Sequence, residues 1–397
     1  MKASLVSFFN TSNIGDLLIS RALKKKVEKY ATVDAIDYLG NHEVKSDVFI
    51  ENKTTEQEET PTNVDKVKEI IWKTLYKLRL ESFILLYHSY FNKIQIPNVE
   101  ESIKSSEALI IGGGNMIFDL MPSSLSASRF DYFVSTAKKY NKKVFAISLG
   151  IGPFQNNYQK KQAVNSLAKC DYITFRDKKS YEIFRKEKPE FENAYIVADP
   201  VFFAEPALSD NMSGDSIGIN IINPNLFPSN YNYEEVINNY SILIDKIIES
   251  TNREVVIFNT ESKDYEACMQ VYNKCKNKTK LTIQEVKYEK DLYEVYSKCD
   301  LIIGTRMHSL ITAFAQGIPI IGFSWQQKVD AMFEMIEDTE SVFDLFELST
   351  HYEEILEKCE SKLKDDGSTQ RKEVMEKLLQ KEEINNNILQ NIFSSHL

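Results

Sequence analysis

Ser297-Lys298-Cys299-Asp300-Leu301-Ile302-Ile303-Gly304-Thr305-Arg306-Met307-His308-Ser309 carries the reading of the fold. A helix end and an acidic residue lead into a short apolar strand, a glycine turn, and then a small-residue helix that runs to Gly317-Ile318-Pro319. Ser105-Ser106-Glu107-Ala108-Leu109-Ile110-Ile111-Gly112 repeats the pattern in the first half of the chain. An apolar run without alternation, ending in glycine and followed by a helix, marks a strand buried on both faces of a parallel sheet.

Working outward, the same unit recurs. Ala3–Phe9 leads through Asn13-Ile14-Gly15-Asp16 to a helix with Leu17, Leu18, Ala22 and Leu23. Val144–Leu149 leads to Gly150-Ile151-Gly152-Pro153, Tyr172–Phe175 to Arg176-Asp177, and Tyr195–Ala198 to Asp199-Pro200. Ala108–Ile111 is read as ending at a Gly112-Gly113-Gly114-Asn115 turn. A second series follows the turn-rich stretch 210–215, with strands at Ser216–Ile222, Glu254–Phe258, Leu281–Gln284, Leu301–Ile303 and Pro319–Phe323. The expectation is α/β: two Rossmann-like domains with mainly parallel sheets, 1–208 and 215–397, the second ending in a helix over 368–393. Ligands of such sheets bind outside the carboxyl ends of the strands, so both sets of glycine turns are expected on one central cleft.

Length and composition agree. A chain of 397 residues is long enough for two domains, and 43% hydrophobic with 27% charged residues excludes disorder and fibrous classes. The formal charge of −10 argues against nucleic acid as a partner, which needs a net basic face. Five scattered cysteines, with no C-x-x-C pair, exclude a disulfide framework and a zinc site, and no metal is expected. No apolar run approaches membrane-spanning length, and the first nine residues read as a strand, so a cytoplasmic protein is expected. Residues 51–62 read as an exposed acidic loop. Asp65–Ile96, an inserted helical segment near 63–96, has six basic against three acidic residues, mixed with Trp72, Tyr76, Phe83, Tyr87, Tyr90 and Phe91. It is either an amphipathic cover for the first sheet or an interfacial membrane surface.

The densest chemistry lies at Arg306-Met307-His308-Ser309. A helix start offers unpaired N–H groups and a positive dipole end to phosphate or carboxylate. Arg306 brings a planar fork for the same anions, and His308 a group able to donate to an oxyanion or move a proton near neutral pH. Lys328, after the next strand, is either a surface charge or a further anion contact. In the first half, Gly15 permits close backbone approach, and Asp16 is a helix cap or a hydroxyl ligand or base. Gly113 and Gly114 let backbone N–H groups meet a ligand near Asn115. Neither glycine turn is a dinucleotide fingerprint, since Ile117 and Gln155 stand where the third glycine belongs, and no Walker A sequence is present. His42, His88, His351 and His396 stand alone and read as structural.

Taken in order, Asn13–Asp16, Leu109–Asn115, Ser148–Pro153, Phe175-Arg176-Asp177 with Ser180, Ala198-Asp199-Pro200, and Gly304–Pro319 with Lys328 resemble the polysaccharide pyruvyl transferase family. The resemblance spans roughly 3–330. Trp325-Gln326-Gln327 departs from the Tyr-based segment common in the family. It implies a fold like that of GT-B glycosyltransferases and formation of a cyclic ketal from phosphoenolpyruvate, without a cofactor, on a sugar of a polysaccharide or its lipid-linked precursor. In that scheme Arg306 and Lys328 bind donor anions, and His308 binds phosphate or acts as general acid. Asp16 orients or deprotonates a sugar hydroxyl, and Asn13, Gly15, Gly113, Gly114, Asn115 and Ser309 complete the binding set. A lipid-linked acceptor would bring Asp65–Ile96 to the inner membrane face as a peripheral contact. Two other readings remain: a GT-B glycosyltransferase with Arg306 and Lys328 on a nucleotide-sugar diphosphate, and a non-catalytic glycan- or partner-binding protein.

Overall fold

The computed structural model describes residues 1–40, 74–75, 78, 80, 98–119, 124–155, 157–204, 214–227 and 231–394. The expected acidic loop, nearly all of the basic aromatic segment and most of the turn-rich stretch near 210 fall outside them. The chain divides into two compact units, residues 1–11, 19–200 and 378–397 forming the first and 12–18 with 201–377 the second.

The first unit is built on β1 (Lys2–Ser7), β2 (Thr32–Asp37), β3 (Ala108–Asp119), β4 (Lys143–Phe154), β5 (Tyr172–Phe175) and β6 (Ala194–Ile196). They form one parallel sheet in the order β2-β1-β3-β4-β5-β6. Between the strands run α1 (Ile14–Glu28), α2 (Val99–Ser105), α3 (Ser126–Lys139), α4 (Asn157–Leu167) and α5 (Lys178–Glu187). Successive strand residues point to opposite faces, and the core divides accordingly. Val6, Leu109, Ile111 and Ala146 pack with Phe130 and Phe133 of α3. Leu5, Ile110, Phe145 and Ile147 pack with Leu23 and Val27 of α1. Burial on both faces explains why these strands read as continuous apolar runs.

Two expectations are corrected here. The glycines of 112–114 and 150–152 do not close turns. They lie within β3 and β4, paired in register with one another, so that Gly112 faces Ile147 and Asn115 faces Gly150. A Cβ on Gly112 would fall 1.9 Å from the Ile147 carbonyl oxygen, so a glycine there is a condition of strand pairing. Positive φ at Gly113 (79°) and Gly114 (92°) bends the strand instead of ending it.

The second unit has β7 (Ser216–Asn220), β8 (Glu254–Phe258), β9 (Leu281–Gln284), β10 (Cys299–Gly304), β11 (Ile320–Ser324) and β12 (Val342–Asp344). Their order is β12-β11-β10-β7-β8-β9, again all parallel. Its helices are α6 (Tyr233–Thr251), α7 (Tyr265–Lys274), α8 (Glu289–Tyr296), α9 (Met307–Ala315), α10 (Gln327–Met335) and α11 (Tyr352–Lys364). The echoing stretches 105–112 and 297–304 prove topologically equivalent. Each enters the strand, β3 or β10, that lies beside the first strand of its sheet, β1 or β7, where the strand order reverses. β2 and β12 were not read from the sequence, being partly exposed edge strands without a continuous apolar run.

The last helix, α12 (Ser368–Ser394), corrects the expected domain boundary: its residues from 378 onward belong to the first unit. Ile388, Leu389 and Phe393 join the core with Leu5 and Phe145. Asn385, fully buried, accepts from Thr174 Oγ1 at 2.8 Å and donates to Ser148 Oγ at 3.1 Å, while Glu382 pairs with Lys26 of α1. Buried polar groups on a helix demand such partners, and here they tie its register to β4 and β5.

Gly112→Ala is expected to destabilise the first unit by about 1–3 kcal/mol or more, because backbone must move to admit the methyl group. Calorimetry should show this as a lower midpoint for one transition, by roughly 2–4 °C per kcal/mol.

Candidate functional site

The second unit concentrates its buried polar residues at the carboxyl ends of β7, β8 and β10, where the strand order reverses and open α/β sheets bind ligands. Asn220 ends β7. Its Oδ1 accepts from the Arg306 backbone N–H at 3.2 Å, and its Nδ2 donates to Phe258 O at 3.3 Å. Thr305 Oγ1, just past β10, donates to Asn220 O at 3.1 Å and pairs with the buried Tyr240 hydroxyl at 2.9 Å. Past β8, Asn259 exchanges hydrogen bonds with Val286 and donates to Glu261 O at 3.1 Å. Each loop is therefore fixed by side chains of its neighbours.

Arg306 is the centre of this arrangement, and its guanidinium fork faces carboxylates of the protein itself. Its Nε donates to Asp264 Oδ2 at 2.9 Å and Nη2 to Asp264 Oδ1 at 2.8 Å, a bidentate pair. Nη2 also lies 2.8 Å from Glu261 Oε2. Asp264 is 0% exposed and takes a third bond from the Asn223 N–H at 2.9 Å, so it links segments following β7, β8 and β10. Burial works against the guanidinium charge, but Asp264, Glu261 and Asp16 more than offset it and hold the proton more firmly than usual. Three carboxylates thus surround one guanidinium. A further anion on Arg306 would meet like charges, each pair at ~4 Å costing about 4 kcal/mol at an effective dielectric near 20. Arg306 is thus held in place by carboxylates of the protein itself.

His308 lies in the first turn of α9, whose start has no side-chain cap. The amino-terminal turn expected from the sequence comes against it. Residues 12–18 belong to the second unit: Ile14 N donates to Thr260 O at 3.1 Å, and Asn13 forms an antiparallel bridge with Glu261. Gly15 rests on His308 so closely that a Cβ would fall 2.5 Å from Nδ1 and 2.6 Å from the histidine Cβ. Asn13 Oδ1 accepts from Gly15 N at 3.0 Å, so Asn13, and not Asp16, caps α1. Asp16 sits in the first turn, half-buried, close enough to Arg306 to act on its charge. Asn13, Gly15, Asp16, Arg306 and His308, distant in sequence, therefore belong to one cluster.

The other expected residues fare differently. Ser309 is buried, with its oxygens bonded to the Tyr296 hydroxyl at 2.7 Å (backbone O) and 3.1 Å (Oγ), so it packs α9 and is not placed to bind a ligand. Lys328 is exposed in the first turn of α10, past β11, with Nζ 6.0 Å from the Trp325 ring centroid. Gly113, Gly114 and Asn115 belong to the first unit. There Asn115 Nδ2 donates to Gly152 O at 2.8 Å, and Gly150 leaves room for the Arg176 guanidinium, which pairs with Asp199 at 2.6 Å. Asp177 caps α5 through Ser180 N at 2.7 Å. Asn220, Asn223, Asn259, Glu261, Asp264 and Thr305 were missed by sequence reading. Their signal was a polar residue at the end of an apolar strand, directly after it, or a few residues beyond it. Among the described residues no group of three His, Cys, Asp or Glu could hold a metal, and no helix is long and apolar enough to cross a membrane.

The polysaccharide pyruvyl transferase family model matches residues 13–327, a span that includes both the Asn13 turn and the His308 helix start. The amylovoran biosynthesis protein AmsJ of Erwinia amylovora is 22% identical over 386 residues, covering 87% of this chain and 89% of that protein. Among solved structures, a putative UDP-N-acetylglucosamine 2-epimerase from Listeria monocytogenes superposes with a TM-score of 0.53 at 11% identity, over 93% of this chain and 89% of that one. S. aureus MnaA, solved with UDP, gives 0.52 at 10% identity, over 93% and 90%. These likenesses are of fold: two parallel-sheet Rossmann-like halves of the GT-B-like α/β class.

Asp264→Ala would leave the guanidinium of Arg306 buried with Glu261 as its remaining direct carboxylate partner. Breaking such a pair by removing one member costs about 3–5 kcal/mol, which urea denaturation should register, whereas Lys328→Ala should cost under about 0.5 kcal/mol.

Proposed function

Because this chain belongs to the polysaccharide pyruvyl transferase family, we propose that it transfers the pyruvyl group of phosphoenolpyruvate to two hydroxyls of one sugar, in a polysaccharide or its lipid-linked precursor. The product is a cyclic ketal, and phosphate is released. The observation that carries the reading is His308 at the uncapped start of α9 with Gly15 packed on it. The relationship to a protein of amylovoran biosynthesis supports a polysaccharide acceptor.

The chemistry follows from the donor. Phosphoenolpyruvate carries a phosphate and a carboxylate, and its C3 methylene must gain a proton before C2 becomes electrophilic. The N–H groups of α9's first turn, with the exposed Lys328 past the neighbouring strand, suit the anions. His308 is the group we assign to deliver the C3 proton. One sugar hydroxyl then attacks C2 and loses its proton, which restores His308. The C2–O bond to phosphate breaks, a neighbouring hydroxyl attacks the same carbon, and its proton leaves with the phosphate. Asp16 orients an attacking hydroxyl. Arg306 supports the site without contacting the donor.

The test is phosphate release from phosphoenolpyruvate with a panel of synthetic or lipid-linked β-galactosides and N-acetylmannosaminides. His308→Ala should lower turnover at least ~100-fold, the scale of general acid catalysis, without lowering the melting temperature. Gly15→Ala, which forces the imidazole aside, should lose turnover comparably. Near wild-type rates in His308→Ala would remove the assigned role.

A further inference from the structure

Asp264, Arg306 and Glu261 form a chain of charged groups that runs outward from the core. Asp264 is 0% exposed, the Arg306 side chain 15% and the Glu261 side chain 20%. The inner carboxylate uses both oxygens on the guanidinium and takes the Asn223 N–H as well. The outer one engages Arg306 through Oε2, and among the described residues Oε1 has no partner. The backbone of Glu261 is held on two sides: its carbonyl accepts from Asn259 Nδ2 at 3.1 Å, and Asn13 bridges to it, two residues before the Gly15 that lies on His308. A carboxylate oriented at one oxygen, free at the other and fixed at its backbone is built to accept a hydrogen bond from outside the protein.

We propose that Glu261 binds a hydroxyl of the acceptor sugar through Oε1, with Arg306 and Asp264 as its positioning residues. The inference rests on the pyruvyl-transfer reading for the identity of the acceptor, not for the presence of a hydroxyl ligand. Charge decides between a hydroxyl and an anion. Asp264 and Glu261 share the single positive charge of Arg306, so the trio is net negative, which disfavours phosphate and carboxylate and favours O–H donors. A reaction that joins two hydroxyls of one sugar to a single carbon needs both held, and Asp16 accounts for one.

The experiment measures the kinetics of Glu261→Gln, Glu261→Asp and Asp264→Asn. Glutamine keeps a carbonyl for Arg306 Nη2 but can no longer accept as a charged group, and melting curves verify folding. The expected result is a KM for the glycoside raised at least ~10-fold in Glu261→Gln, with the KM for phosphoenolpyruvate within twofold. Glu261→Asp should restore part of the loss, and Asp264→Asn should shift the same KM by less. An unchanged glycoside KM, or a change confined to phosphoenolpyruvate, overturns the assignment. Should the wild type release no phosphate, the pyruvyl-transfer reading fails, and saturation-transfer NMR with the same glycosides decides the inference separately. Binding by the wild type that is lost in Glu261→Gln sustains it, and equal binding by both, or binding by neither, overturns it.

Discussion

The buried pair of Asp264 and Arg306 is the constraint on which the second unit's strand ends depend. Desolvating a carboxylate and a guanidinium costs several kcal/mol each, and only a bidentate geometry with every remaining group satisfied recovers it. That requirement reaches outward from the pair. Asp264 needs the Asn223 N–H, and the Arg306 backbone needs Asn220 Oδ1. Three loops from separate parts of the chain are thereby held to one geometry, and the first turn of α9, with His308, starts from it. Such a network contributes little net stability, but it excludes alternative loop arrangements, which is what a site requires.

Much of the fold was legible because parallel strands buried on both faces leave an unmistakable apolar run, each followed by a turn and a helix. The two halves and their echo could be read in this way, down to the equivalence of β3 and β10. The errors share a cause. Glycines after an apolar run were read as turns, yet in β3 and β4 they are needed for two backbones to meet within a continuing pair. Local sequence cannot separate these cases, because the reason for the glycine lies in the partner strand. The placement of α12 and of residues 12–18 was likewise invisible, since it depends on which core receives them.

The site was legible by residue type and less so by role. His308, Gly15 and Asn13 were singled out because a helix start and a strand-to-helix turn have recognisable chemistry, and the structure brings them together. Arg306 was singled out without its partners: Asp264 and Glu261 stand more than forty positions away and were not noticed. An arginine at a helix start predicts an anion ligand only if no carboxylate of the protein reaches it first. Ser309 shows the same limit, since the Tyr296 hydroxyl that occupies it comes from another helix.

Sheet order gives the site a direction. Along the carboxyl ends, β11, β10, β7 and β8 follow one another at about 4.8 Å spacing. Lys328 follows β11, the uncapped helix start with His308 follows β10, and Glu261 with the bridged Asn13 turn follows β8. A lysine therefore lies toward one edge and a carboxylate toward the other, with the histidine between. Under the proposed reaction, an anionic donor and a hydroxyl-bearing acceptor must meet at one carbon without the protein's own carboxylates repelling the donor. Under that proposal Lys328 and Glu261 lie on opposite sides of His308 along the strand ends, so donor and acceptor approach the histidine from different strands of a single unit.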